Sequence, residues 1–244
     1  AIWDNAKQIW STDEADVQRL VDQELDEYVE KRRETWHGAI EVKKMISYSS
    51  NIWHSYKVFL KDMFDSSHQL DENIIFANTP TKKNDYVSHR LSYPLEEGSF
   101  ESYDEMIGTL YDEEERQKLE WAIGAIIAGD AKHIQKFIVL YGEAGSGKST
   151  FLNIVQKLFE GYYTTFEAKA LTGSNNQFSP EQFKSNPLVA IQHDGALSRI
   201  EDNTKLNSII SHEEMSMREL YKPSYTAKTN AFLFMGTNKP VKIT

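Results

Sequence analysis

Phe137-Ile138-Val139-Leu140-Tyr141 runs directly into Gly142-Glu143-Ala144-Gly145-Ser146-Gly147-Lys148-Ser149-Thr150. The first five residues are continuously apolar, which suits a strand covered on both faces. The next nine match G-x-x-x-x-G-K-[ST] without a departure, between a predicted strand and a predicted helix. Glycines at 142, 145 and 147 let the backbone turn tightly enough for successive N–H groups to surround phosphate oxygens, and the following helix adds the positive end of its dipole. The whole loop, Gly142, Glu143, Ala144, Gly145, Ser146, Gly147, Lys148, Ser149 and Thr150, is therefore expected to bind a nucleotide. Lys148 is expected on the outer phosphates and Ser149 on Mg²⁺, with Thr150 packing or capping.

Working downstream, two further apolar runs read as strands: Leu188-Val189-Ala190-Ile191 after a Pro, and Ala231-Phe232-Leu233-Phe234-Met235 before a Gly. Short apolar strands separated by turns and helices predict an α/β domain from about residue 131. The first of these runs ends in His193-Asp194-Gly195, and a carboxylate at a strand end beside the loop can hold a Mg²⁺-linked water or the attacking water. Asp194 is the candidate; His193 could polarise that water or be a hydrogen-bonded structural residue, and Glu201 and Asp202 are more distant alternatives. The second run ends in Gly236-Thr237-Asn238-Lys239-Pro240, where the Asn238 amide could bridge the γ-phosphate and the attacking water. That segment lacks the Asp of an N/T-K-x-D guanine-reading element, so ATP is expected over GTP. Between the two lie Lys205, Arg218, Lys222 and Lys228 with Tyr221 and Tyr225 interleaved. Pro223-Ser224 suggests a turn, hence a hairpin whose cations could meet the phosphates of single-stranded DNA.

Working upstream, the grammar is helical and acidic. Ser11-Thr12-Asp13-Glu14 has the form of a capping box, followed by Val17, Leu20, Val21, Leu25, Tyr28 and Val29 at helical spacing up to Lys31-Arg32-Arg33. A second stripe, Ile52, Trp53, Tyr56, Phe59, Leu60, Met63 and Phe64, reads as core. Residues 78–100 read as an extended connector, and a third helix from Asp112 is expected to bury Leu119, Ala122, Ile123, Ile126 and Ile127 and to stop at Gly129-Asp130. The expected division is thus 1–130, an acidic, mostly helical accessory domain, and 131–244, the core. Of the 244 residues, 1–130 hold 14 Lys and Arg against 27 Asp and Glu, whereas 131–244 hold 13 against 10. A nucleic acid would therefore meet the second half. The absence of cysteine excludes disulfides, thiol catalysis and cysteine-based zinc sites, and no apolar run approaches the ~18 residues of a membrane span. Ala1 in place of an initiator Met, and a stop at Thr244 just after a strand-like run, lead to the expectation of a fragment of something longer.

The order phosphate loop, strand-end His193-Asp194, basic hairpin, then Met235-Gly236-Thr237-Asn238-Lys239-Pro240 resembles superfamily three replicative helicases of viruses, phages and plasmids. It looks most like the helicase part of phage primase-polymerase proteins, near the poxvirus-type branch. The resemblance covers roughly residues 115–244, including Trp121-Ala122-Ile123-Gly124. It implies a P-loop core similar to AAA+ ATPases, preceded by an accessory domain. It also implies a ring of about six subunits, ATP and Mg²⁺, and movement along single-stranded DNA from the 3′ end. A primase-polymerase domain on the same full-length chain and residence in the host cytoplasm follow from the same resemblance. By motif position it assigns Lys148 and Ser149 to triphosphate and Mg²⁺, Asp194 to the second acidic motif, Asn238 to the sensor, and Lys205, Arg218 and Lys222 to the DNA-reaching segment. Two features depart from it: His-Asp stands where many relatives have two acids, and the chain ends before the basic segment that carries an arginine finger. A P-loop kinase of a small substrate and a non-motor ring ATPase remain alternatives, the kinase disfavoured because Arg199 and Arg218 are the only arginines after the loop.

Overall fold

In a computed structural model the described residues are 1–35, 50–62, 70–167, 183, 186–195, 204–217 and 225–240. They form two compact units, one of Ala1–Leu70 with Pro80–Ser88, the other of Asp71–Thr79 with His89–Thr244.

The first unit opens with an antiparallel pair that the sequence reading missed, β1 (Ile2–Asp4) and β2 (Ile9–Ser11). The Asp4 carboxylate accepts from the amides of Ala6 and Lys7 at 2.9 and 3.1 Å, closing the turn, and Trp3 sits opposite Trp10 with ring centroids 5.8 Å apart. Trp10 donates its indole N–H to the Lys83 carbonyl at 2.9 Å and stacks on Tyr86. Helix α1 (Glu14–Thr35) follows. The expected capping box does not form: Ser11 is still extended in β2, and Asp13 caps instead, accepting from the Ala15 amide at 2.9 Å. In α2 (Asn51–Asp62), Trp53 is buried, but Ile52, Tyr56 and Phe59 are exposed, so the stripe expected to be core contributes one aromatic among the described residues. Leu60, Met63 and Phe64 lie outside the described side chains.

The second unit is mixed α/β. Helices α3 (Glu101–Leu110), α4 (Glu113–Ile127) and the short α5 (Ala131–Ile134) precede strand β3 (Ile138–Tyr141). Then come α6 (Lys148–Leu158), β4 (Tyr163–Thr165), β5 (Val189–Gln192), α7 (Thr204–Ile210), β6 (Glu214–Met217), β7 (Tyr225–Lys228) and β8 (Phe232–Thr237). Four strands make a parallel sheet in the order β3-β8-β5-β4, with Tyr141 paired to Thr237 and Ile191 to Phe234. Period-2 alternation splits the strands between two cores. Val189, Ile191, Phe232 and Phe234 pack with Phe151, Leu152, Leu119 and Ile126 on one face. Ala190, Leu233 and Met235 pack with Leu206 and Ile209 of α7 on the other. All six residues of β8 are buried, as suits the middle of a doubly covered sheet.

The Asp112 side chain caps α4 by accepting from the Glu115 amide at 2.8 Å, and the helix buries Leu119, Ala122 and Ile126; Ile127, expected inside, is exposed at its last position. Packing does not divide the chain at 130. Residues 71–79 and 89–93 are joined by bonds such as Leu91 N–H to Ile75 O at 2.8 Å, and Ile74, Phe76, Leu91 and Ile107 belong to the same core as the sheet. The change in local pattern just beyond 130 marks the approach to β3, the first strand of the parallel sheet; the apolar faces of α3 and α4 need that sheet to cover them. No helix among the described residues is long and apolar enough to cross a membrane.

Candidate functional site

The loop between β3 and α6 takes its shape from a few glycines. Gly145 and Gly147 have φ of +85° and +83°, and a Cβ on Gly147 would lie 2.7 Å from Leu110 Cδ2. The corner after α3 thus closes directly onto the loop, a role for Leu110 that no motif signals. Gly147 offers no side chain to cap the first turn of α6. Lys148, buried, donates to Gly142 O at 2.8 Å, Glu143 O at 2.7 Å and Ser146 Oγ at 3.2 Å. These are three donors for three neutral acceptors, so the ammonium is fully hydrogen-bonded without a carboxylate beside it.

The strand ends are tied side by side. Gly142 donates its amide to Thr237 O at 3.3 Å, and Gly195 donates to Gly236 O at 2.9 Å. A Cβ on Gly236 would lie 2.4 Å from the His193 carbonyl oxygen, so only glycine lets β8 and the end of β5 approach this closely. Buried Thr237 shapes the next turn by donating Oγ1–H to Lys239 O at 2.8 Å and accepting from the Lys239 amide at 3.1 Å, which leaves Asn238 exposed beyond it. His193 Nε2 is 3.1 Å from Gln156 Oε1, and Gln156 Nε2 donates to the Tyr163 hydroxyl at 2.9 Å.

One cavity of about 370 Å³ gathers these pieces: Leu110, residues 144–150, His193, Asp194 and Asn238. Of the nine loop residues singled out by sequence, seven line it, while Gly142 and Glu143 contribute the carbonyls that hold Lys148. Because β8 lies between β3 and β5, Asn238 comes between the loop and Asp194, which sits two strand spacings from β3, about 10 Å. No group of three or more His, Cys, Asp or Glu side chains that could hold a metal occurs among the described residues. Among the described residues lining the cavity, the Asp194 carboxylate and the Ser149 hydroxyl are oxygen donors that, with phosphate oxygens, would suit Mg²⁺. A larger apolar cavity of about 530 Å³ runs along α6 beside Tyr93, Ile154 and Leu158, and it collects none of the strand-end residues.

The basic segment is partly described. Strands β6 and β7 form the expected antiparallel hairpin, with Glu214 opposite Lys228. Arg218 and Lys222, together with Arg199, Glu201 and Asp202, lie outside the described residues. Lys205 belongs to α7 rather than to the hairpin, because its neighbours Leu206 and Ile209 bury one helical face against the sheet; its side chain is outside the described set.

Comparison with known proteins adds a likeness of fold and a family-model match over part of the chain. Residues 140–244 match a model described as a family of unknown function, DUF5906. No curated protein matches the chain. Among solved structures it is similar to the A-form apo structure of the NrS-1 C-terminal region. The identity is 14% and the TM-score 0.52, over 80% of this chain and 49% of that one. The 305–718 portion of that region matches at 17 and 18% identity over 61% of this chain, with TM-scores of 0.46 in both structures. The chain spans about half the length of the first of these, and likeness at such identity is likeness of fold.

Proposed function

We propose that the second unit is an ATP-hydrolysing motor domain that couples turnover to single-stranded DNA, built on an AAA+-like P-loop core of the superfamily three type. The observation that carries the proposal is the cavity in which the glycine loop, Asp194 and Asn238 meet at the C-terminal ends of three neighbouring parallel strands. Ligands of open α/β sheets bind at this edge. The residues fit a Mg²⁺-bound triphosphate. Loop amides and the start of α6 suit the phosphates, Lys148 can exchange a neutral oxygen for a charged one, and Ser149 with Asp194 would hold the metal. A bound Mg²⁺ would supply charge neutralisation on the phosphate oxygens. Asn238, one residue past the strand hydrogen-bonded to the loop, orients the attacking water against the γ-phosphate and feels its departure. Phosphoryl transfer needs positioning more than covalent chemistry, and the three rigid strand ends provide that positioning.

The β6–β7 hairpin is the segment proposed to touch DNA, with Arg218, Lys222 and Lys228 on phosphates. A ring of subunits, a primase-polymerase domain on a longer chain and a place in host-cytoplasm replication complete the reading. ATP turnover measured with and without single-stranded DNA tests it. Stimulation by DNA, lost in Lys148→Ala, is expected; turnover indifferent to DNA, or phosphoryl transfer to a small acceptor, would replace the motor with a kinase or an assembly ATPase.

A further inference from the structure

His193 stands beside Asp194 in the cavity with no second acid next to it, and its ring is held from behind. The Gln156 amide spends its NH₂ on the Tyr163 hydroxyl at 2.9 Å, which turns its oxygen toward His193 Nε2 at 3.1 Å. In this amide orientation the oxygen faces the ring and can only accept, which assigns the proton to Nε2 and, in the neutral ring, the lone pair to Nδ1. The backbone at 193 is fixed as well, pressed against Gly236 and followed by the Gly195-to-Gly236 hydrogen bond. Gln156 lies eight residues beyond Lys148 on the same helix, so α6 carries both the lysine of the loop and the residue that aims His193.

We infer that Gln156, braced by Tyr163, is a positioning residue that fixes the His193 ring so that Nδ1 accepts a hydrogen bond from the attacking water, which it shares with Asn238. This rests on the nucleotide reading above and deepens it: His193 does by orientation what a second carboxylate would do by charge. Misplacing a water-orienting group by about 1 Å costs on the order of 100-fold in rate with little effect on substrate binding.

The test uses the full chain labelled with ¹⁵N-histidine, with His193→Asn to assign the ring, at about pH 8, above the ordinary histidine range. Nitrogen shifts of the Nε2–H tautomer are expected for His193, mixed tautomers in Gln156→Leu and a loosened ring in Tyr163→Phe. In Gln156→Leu, kcat for ATP should fall roughly 10- to 100-fold with KM and ATP affinity within about twofold. Gln156→Glu, which still accepts from Nε2–H, should recover most of the rate. A wild-type His193 protonated on Nδ1 overturns the inference, as does a Gln156→Leu protein that keeps the parent's kcat while the parent turns ATP over. A wild type with the stated tautomer that neither binds nor hydrolyses ATP puts the fault in the nucleotide reading, and the water's place at Nδ1 falls with it.

Discussion

At the scale of single residues, two positions separate binding from folding. Lys148 Nζ makes three hydrogen bonds inside its own loop, so the side chain is placed before any phosphate arrives. If the loop holds a triphosphate as proposed, replacing Lys148 by alanine should remove a charge-assisted contact of about 1.5–3 kcal/mol, or roughly ten- to a hundredfold in ATP affinity. Equilibrium binding of a fluorescent ATP analogue reads this, and unchanged affinity would dismiss the loop as a triphosphate site. Gly236 is the converse case, a residue with no chemistry whose missing side chain lets β8 and β5 meet. Gly236→Ala places a methyl group 2.4 Å from the His193 carbonyl, a contact that must push backbone apart. A cost of about 1–3 kcal/mol is expected, lowering Tm by roughly 3–10 °C. Since the displaced atom belongs to His193, turnover should fall further than stability. A melting curve matching the parent's would show that the strands can separate freely.

At the scale of elements, the α1–α2 contact in the first unit and the hairpin in the second each make a measurable claim. Glu14 accepts from Lys57 Nζ at 2.9 Å and from the Trp53 indole at 3.2 Å, and these bonds, that of Lys57 foremost, hold its carboxyl below the ordinary value of 4.5. A carboxyl whose folded pKa is depressed lends stability above its unfolded pKa and loses it as the pH falls through the folded one. Trp53 fluorescence should therefore change as the pH drops below 4.5, and Lys57→Met should move that change toward higher pH. Insensitivity to Lys57→Met would place the cause elsewhere. The hairpin carries the DNA proposal through Lys228 on β7 and through Arg218 and Lys222. Binding to a single-stranded oligonucleotide should weaken with salt at about −0.7 in log–log slope per neutralised phosphate. Each of Lys228→Ala, Arg218→Ala and Lys222→Ala should make the slope shallower by up to that amount. Three variants with the parent's slope would take DNA off the hairpin.

At the scale of the whole molecule, the cavity is short of positive charge. Lys148 is the one Lys or Arg among the described residues that line it, whereas a phosphoryl-transfer transition state spreads charge over the γ-phosphate oxygens. A cation supplied by a neighbouring subunit would complete the site, and such a residue is worth roughly 10³–10⁵ in rate in other phosphoryl-transfer systems. Turnover per chain is accordingly expected to rise steeply with protein concentration while ATP affinity per chain stays level. A specific activity that is flat with concentration would mean either that one chain completes its own site or that no second cation is used.

What could be read from the sequence was what neighbouring residues decide. The loop 142–150, the apolar strands before the loop, before His193-Asp194 and before Asn238, the Asp112 start of α4 and the β6–β7 pair all declare themselves within a dozen residues. Glycine, capping and strand alternation act at that range. The short β1–β2 pair and β4 escaped because three-residue strands are too brief to show a period. The exposed aromatics of α2 misled for a related reason: an apolar stripe says which face of a helix could be covered, and only packing partners decide whether it is. Tertiary structure alone placed β8 between β3 and β5, closed Leu110 onto Gly147, drew α3 and α4 into the core of the sheet, and turned Gln156 toward His193. Each of these joins residues tens of positions apart, and the burial of two sheet faces, which no local pattern encodes, selects the pairing.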